Sequence, residues 1–465
     1  MVLLRLFLIV LFSFSFIQGQ PFEDIESRLQ DRLYRDVDVA IIISDLSLSN
    51  SLYKVQPHLD FIPASLTKLF LTGTCLDYLS TSYRFKTKVY LDKEDIPSLY
   101  VKGEGDPNQT REQFILIAKA LKKKNIGVLK SIILDASKIQ MDANLYGNSA
   151  RYYYALGGAL NFNYNQIRLL VNEDQKQLTV SPESSFVDLD IRSLRYLSSK
   201  KRGFPKISLH QRPGFDKYII RGAVSKQDEM YTNLNLRVSR PTHFYASMLK
   251  QVLLDHDIRV IEPLSFERFY NKKKKRLLTL TSLPLFNYLE DMNQDSSNMI
   301  ASSILKVLGK LKYGEPGTQR KGLLLMDQFM YKRLDVQTEM FKFKDGSGLS
   351  SYNRITADHV SRFLTYFKKK YPESIKTMFV DIKQSSDYDD MEVPEYYDVY
   401  VKSGTLSNLG VNNLAGYVND SRIGKSYSFV ILTKYRDNKE PAYKGTLSNP
   451  LLQQILASIQ KMSLN

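Results

Sequence analysis

Cysteine occurs once in the 465 residues, at Cys75, and histidine only five times. A single thiol excludes an intramolecular disulfide framework. The histidines (His58, His210, His243, His256 and His359) show no paired ligand spacing and no cysteine cluster joins them. No metal and no cofactor is therefore expected. Apolar runs long enough to cross a membrane are also missing; the longest, Leu6–Ile17, is too short. There is no internal repeat. Acids are the scarcer charge, 49 Asp and Glu against 65 Lys and Arg, for a formal net charge of +16.

What is present begins with a leader. Met1–Arg5 carries one positive charge, an apolar segment follows, and Gln18-Gly19-Gln20 offers a small residue for cleavage. Residues 1–19 are thus expected to be a secretory signal peptide, and the chain to be exported. No cysteine lies at the cleavage site, so no lipid anchor is expected there. Loss of Arg5 leaves 16 − 1 = +15 on the mature chain. A basic exported protein points to peripheral contact with an anionic wall or membrane surface, and export argues against nucleic acid as the partner. The basic runs Lys122–Lys124, Lys272–Arg276 and Lys368–Lys370 are each short and read as solvated faces or loops.

With 43% apolar residues and this length, two or three domains are expected. Phe22–Leu33 has helical spacing, Val37–Asp45 reads as a buried strand, and Leu52–Val55 as its partner. Residues 85–277 are strand-rich, and helix-and-sheet patterning resumes after them. The reading is α+β: an antiparallel sheet flanked by helices, formed by 20–84 and 278–465, interrupted by one or two small inserted domains over 85–277.

Pro63-Ala-Ser-Leu-Thr-Lys68 stands at the start of an apolar helix. Positions i and i+3 share a helix face, so the Ser65 hydroxyl and Lys68 amine can meet there. A buried amine beside a serine is a way to make a nucleophile without histidine. Ser-x-x-Lys by itself is weak, because it occurs six times, at Ser51, Ser65, Ser198, Ser247, Ser303 and Ser458. Only Ser65 joins a preceding turn to a following apolar helix. Ser-x-Asn occurs at Ser296, Ser351 and Ser463, and Lys-[Ser/Thr]-Gly once, at Lys402-Ser-Gly404. Taken singly, Ser65 and Ser296 also read as helix caps and Lys402 as an exposed strand lysine.

In order, Ser65-Leu-Thr-Lys68, Ser296-Ser-Asn298 and Lys402-Ser-Gly404 match the three-part signature of penicillin-binding proteins and serine β-lactamases. The gaps are 296 − 65 = 231 and 402 − 296 = 106 residues. The wide first gap, with Gly105-Asp-Pro107, Asp345-Gly-Ser-Gly-Leu-Ser350 and Asn413-Leu-Ala-Gly416, resembles the penicillin-binding protein 4 family of D-alanyl-D-alanine carboxypeptidase/endopeptidases, peptidase family S13. Ser403 stands where threonine is usual, and Met299-Ile-Ala-Ser302 lacks an acidic residue expected near the second motif.

The resemblance implies a penicillin-binding-protein/β-lactamase-like transpeptidase domain and a periplasmic serine DD-peptidase. Peptidoglycan stem peptides would be its substrates and β-lactams its covalent inhibitors. It implies Ser65 as nucleophile, Lys68 as base with its pKa lowered by burial and by Lys402, and Ser296 as proton relay. Asn298 would meet the substrate amide, while Lys402, Ser403 and Thr405 would hold the terminal carboxylate. The oxyanion hole would be the backbone N–H of Ser65 and Leu406. A β-lactamase or esterase on the same scaffold, or a non-catalytic wall-binding protein, are the competing readings. Asp345–Ser350 and Asp106 read as turn formers, with Asp345–Ser350 shaping the site's rim.

Overall fold

The structure, a computed structural model, describes residues 21–48, 50–141, 147–172, 177–197, 205–225, 233–270, 273–436 and 446–464. The expected leader lies outside these residues, as does Lys272 of the second basic run. Helix α1 (Glu23–Leu29) leads to β1 (Val37–Asp45) and β2 (Asn50–Val55), and a 3-10 turn over Ala64–Leu66 runs into α2 (Thr67–Tyr78). Then come β3 (Arg84–Leu91), β4 (Leu99–Lys102), α3 (Arg111–Lys122), β5 (Val128–Leu129) and β6 (Ile132–Asp135). Six further strands follow: β7 (Gln166–Asn172), β8 (Gln177–Ser181), β9 (Val187–Leu197), β10 (Lys206–Arg212), β11 (Phe215–Ser225) and β12 (Asn233–Arg237). After α4 (Pro241–Asp255) lie β13 (Arg259–Val260), β14 (Ser265–Phe266) and β15 (Lys275–Pro284). Four helices follow, α5 (Leu285–Gln294), α6 (Asn298–Tyr313), α7 (Gln319–Leu334) and α8 (Ala357–Lys370), and then the short α9 (Ile375–Met378). The chain ends with β16 (Val380–Asp381), β17 (Tyr397–Leu406), β18 (Val411–Asp420), β19 (Lys425–Tyr435) and α10 (Ser448–Leu464).

The first and last parts of the chain share one antiparallel sheet, in the order β16-β17-β18-β19-β1-β2. β1 sits inside it, between β19 and β2, and is buried on both faces. Because side chains alternate along a strand, Val39, Ile41 and Ile43 face α1 and α10, while Ala40 and Ile42 face the helical side. Helices α2 and α5 to α8 pack on that second side around Phe70, Leu289, Ile304, Phe329 and Phe363.

Helix α2 is enclosed: every residue from Thr67 to Leu76 is buried. Its threonines remain satisfied because their hydroxyls donate to carbonyls earlier in the chain: Thr67 to Ala64 at 2.9 Å, Thr72 to Lys68 at 2.9 Å, Thr74 to Phe70 at 2.7 Å. Gly73 has no room for a side chain, since a Cβ would come within 2.4 Å of the Phe329 ring. A Ser-x-x-Lys at the mouth of this helix is therefore held by the core.

Residues between α2 and α5 form a mixed five-stranded sheet, β14-β6-β4-β3-β15, covered by α3 and α4, and two three-stranded sheets, β10-β11-β9 and β12-β7-β8. β15 runs through the expected boundary at 277/278 and pairs with β3 as far as Pro284 and Arg84. The alternation Leu278-Thr279-Leu280-Thr281 continues the strand, and Pro284 at the N-cap begins the helix.

The two parts meet along α5 and α6. Buried Lys306 donates to the carbonyls of Gly157 (3.0 Å) and Gln140 (3.2 Å), and Lys310 to that of Glu104 (2.9 Å). Asp106 is buried at the same seam; Oδ1 accepts from the Tyr288 hydroxyl (2.9 Å) and the Asn108 N–H (3.1 Å), while Oδ2 accepts no bond among the described residues. Burial pushes this carboxyl up to about 7.

A folded-state pKa above the unfolded value means the group's contribution is fully present below pH ~4 and is lost as pH rises to about 7. Asp106→Asn keeps the Oδ1 acceptor and removes the buried charge. It is expected to stabilise the chain by about 2 kcal/mol more at pH 8 than at pH 5. Thermal melts of both proteins at both pH values check this; equal gains would contradict it.

Candidate active site

Ser65 lies in the 3-10 turn that feeds α2, half-buried, after Ala64 in the left-handed region (φ 49°). Such a conformation is strained for a residue with a Cβ and persists where the surroundings impose it. Two glycines do so. A Cβ on Gly348 (φ 90°) would fall 1.8 Å from the Ala64 carbonyl oxygen, and one on Gly404 would fall 2.6 Å from that of Pro63. Asn413 completes the clamp: its Nδ2 donates to Ile62 O (2.9 Å) and Pro63 O (3.1 Å), and its Oδ1 accepts from Thr433 N (3.1 Å). The glycines of the third motif and of Asp345–Ser350, with the asparagine of Asn413–Gly416, thus seat the serine turn.

Lys68 is fully buried one turn on. Its Nζ lies 3.0 Å from Ser65 Oγ and donates to Asn298 Oδ1 and Ser347 O, each at 2.6 Å. The asparagine's orientation follows from its other end, since Nδ2 donates to the Tyr153 carbonyl at 3.0 Å and only an N–H can do that. Two of the three partners are therefore pure acceptors. A neutral amine has two N–H groups and one lone pair; the carbonyl oxygens take both hydrogens, and the lone pair is left facing the serine.

Electrostatics favour that neutral form. The Lys68 ammonium is held well below its ordinary range by burial and by the nearby Lys402 charge, against an opposing pull from Asp345. Lys402, itself buried, is pushed down to about 8 by burial, with Asp295 opposing. Lys402 Nζ donates to Ser296 Oγ at 3.3 Å, and Ser296 Oγ donates to Ser65 Oγ at 2.8 Å. Ser296 sits in the loop between α5 and α6 with φ 54°; the helix cap is Ser297, whose oxygen accepts from Ile300 N.

Five of the residues singled out from sequence, Ser65, Lys68, Ser296, Asn298 and Lys402, thus form one hydrogen-bonded group. Ser403 and Thr405 do not join it. They alternate with buried Lys402 and Gly404 along β17 and are exposed, and the Thr405 hydroxyl accepts from Asn412 Nδ2 at 3.5 Å. Leu406, at the end of that strand, packs its side chain against Ile62 and Ala64 beside the serine turn.

Two contributors went unread in the sequence, the carbonyls of Ser347 and Tyr153. The first had a signal. Asp345 accepts from the N–H groups of Ser347 (2.9 Å), Gly348 (2.5 Å) and Ser350 (2.7 Å), and the turn it builds, expected as a rim, presents the Ser347 carbonyl to Lys68. Among the described residues no cluster of three or more His, Cys, Asp or Glu could hold a metal ion.

A serine paired to a lysine one helical turn away, a second serine from an interhelix loop and a buried strand lysine, on a helix-flanked antiparallel sheet, define an acyl-transfer enzyme of the penicillin-recognising type. The chain belongs to the D-Ala-D-Ala carboxypeptidase 3 (S13) family, whose profile matches residues 22–449, and it is a serine DD-peptidase, a hydrolase. A relative is D-alanyl-D-alanine carboxypeptidase DacB of Haemophilus influenzae, 21% identical over 427 residues that cover 87% of each chain. The crystal structure of penicillin binding protein 4 (dacB) from the same organism superposes with a TM-score of 0.78 at 20% identity, covering 94% of this chain and 99% of that one. The same protein complexed with a β-lactam gives 0.72 at 21% identity, covering 95% and 98%.

Proposed function

We propose that Ser65 attacks the carbonyl carbon between two terminal D-alanines of a peptidoglycan stem, removing the last D-alanine or opening a D-alanyl cross-link. The Ser65 proton passes to the Lys68 lone pair as the Oγ–C bond forms. The C–N bond then breaks, and Ser296, hydrogen-bonded to Ser65 and Lys402, relays a proton to the leaving amine. Water hydrolyses the ester and restores the serine. Lys402, with Ser403 and Thr405 beside it on β17, would hold the substrate's terminal carboxylate, and Asn298 its amide. The N–H groups of Ser65 and Leu406 would receive the oxyanion. β-Lactams would acylate the same oxygen. We further propose that residues 85–277 are an insertion in the catalytic domain of 20–84 and 278–465. Residues 1–19 would be an export signal that delivers the chain to the periplasm. No helix among the described residues is long and apolar enough to cross a membrane.

The observation that carries this reading is the position of Lys68 Nζ, 3.0 Å from Ser65 Oγ with both other partners pure acceptors. Mature protein incubated with a fluorescent penicillin and a pentapeptide ending in D-Ala-D-Ala is expected to become labelled and to release D-alanine. Absence of both label and released D-alanine would refute the proposal, and rapid loss of label with little peptide cleavage would make the chain a β-lactamase.

A further inference from the structure

Lys402 is the buried cation on which the site depends, and its surroundings are sparse. It is 1% exposed, its Nζ donates to Ser296 Oγ at 3.3 Å, and among the described residues it makes no ion pair. A buried ammonium with a single hydroxyl partner is costly to keep charged.

The charges around it come from α2, the glycine turn, β16 and the end of α5. Lys68, on α2, is a like charge whenever it is protonated, and Asp345, in the turn, acts on Lys68. Asp381, on β16, stands opposite Tyr400, and the residue opposite Lys402 on β18 is Ala415. Asp291 and Asp295 close α5. Of these acids, Asp295 is the one whose charge reaches Lys402, and the attraction is mutual. The chain itself provides the proximity, because Asp295 is joined directly to Ser296, the residue to which Lys402 is bonded.

Asp295 stands where a helix disfavours an acid. It caps α5 at the C-terminal end (φ −87°, ψ 0°), and its N–H donates to the Asp291 carbonyl at 3.0 Å. The partial negative charge of a helix C-terminus opposes a carboxylate there, and Asp291, four residues earlier, is a like charge on the same face. Burial and Asp291 push the Asp295 carboxyl above its usual range. Asp291 has a partner in the Tyr164 hydroxyl (2.7 Å), whereas the Asp295 carboxylate makes no hydrogen bond or ion pair among the described residues. The chain then turns at Ser296 in the left-handed region (φ 54°), which leaves the acid exposed and the serine directed to Ser65 and Lys402. Local stability does not account for an acid here, and such broken local rules gather at functional sites.

We infer that Asp295 is a positioning residue of the acyl transfer: its charge keeps Lys402 an ammonium, so that Ser296 and the substrate carboxylate meet a cation and Lys68 stays neutral. The inference rests on the acyl-transfer reading above. The effect passes through Lys402 and needs only the charge, so glutamate should serve in place of Asp295 and asparagine should not.

Lysine labelled with ¹³C at Cε reports the Lys402 titration directly, and Lys402→Arg assigns its signal. In the full chain the midpoint is expected at about 8. In Asp295→Asn it is expected to fall by on the order of half a unit or more, and in Asp295→Glu to stay near the wild-type value. Penicillin acylation by Asp295→Asn is expected to match the wild type at pH 6 and to be about three- to tenfold slower at pH 9. The melting temperature of Asp295→Asn is expected to equal or exceed that of the wild type, because an acid has left a helix C-terminus; a merely structural role would lower it and leave the titration in place. A Lys402 midpoint that does not move in Asp295→Asn, or that moves as far in Asp295→Glu, overturns the inference. A shifted midpoint in a chain that takes no penicillin keeps the pairing of Asp295 with Lys402 and refutes the acyl-transfer reading instead.

Discussion

Replacing Ser65 by alanine is expected to abolish penicillin labelling and to lower D-alanine release by about 10⁴-fold or more, the usual consequence of deleting a nucleophile from a preassembled site. The substitution removes one oxygen, and that oxygen is where Lys68 and Ser296 converge. The fold has little reason to respond. Ser65 is half-buried, Ala64 and Leu66 on either side are buried, and Gly348, Gly404 and Asn413 clamp the turn through backbone atoms that remain. Labelled gels and D-alanine assays on the same preparation read both effects. Label persisting at another residue would move the nucleophile elsewhere.

Lys68→Met is expected to reduce the acylation rate by about 10²–10⁴, the range supplied by a positioned general base. Methionine fills a similar volume but leaves the Ser65 proton without an acceptor. It also strands the Asn298 Oδ1 and Ser347 carbonyl oxygens, each a loss of about 1–3 kcal/mol in a buried setting. The variant should therefore melt earlier than the wild type as well as react more slowly. Stopped-flow acylation read beside a thermal melt separates the two, because a purely structural role would lower the melting temperature without changing the acylation rate of the folded protein. An acylation rate within threefold of wild type would remove Lys68 from the reaction.

Residue type and spacing were enough to place most of this site. Ser65 and Lys68 are three apart across the turn that enters a helix whose every early residue is buried, and Lys402, which reads as a strand lysine, lies on β17. β1 spans the residues its apolar run indicates, because a strand buried on both faces leaves an unbroken hydrophobic stretch. Backbone groups were the part out of view. Ser347 O and Tyr153 O act through position, and no residue type announces a carbonyl oxygen.

The end of the five-stranded sheet was hidden for a related reason. The basic run before β15 reads as a loop, and only the pairing of Lys275 with Leu91 and Pro284 with Arg84 shows that the strand starts within it. The exposure of Ser403 and Thr405 depends on which face of β17 meets the serine turn, and the close approach at Gly404 decides that only in three dimensions.

The central claim is that Lys68 acts as a neutral base beside a cationic Lys402, and the pH dependence of penicillin acylation tests it most directly. The base must be deprotonated, so the acid limb follows Lys68 and lies well below the ordinary lysine range; the cation must stay protonated, so the rate falls again as pH rises through about 8. The account predicts a bell with its alkaline limb near pH 8, and loss of that limb toward higher pH in Lys402→Arg, whose guanidinium stays charged. A rate that climbs steadily to pH 10 in the wild type would show Lys68 protonated at neutral pH and contradict it.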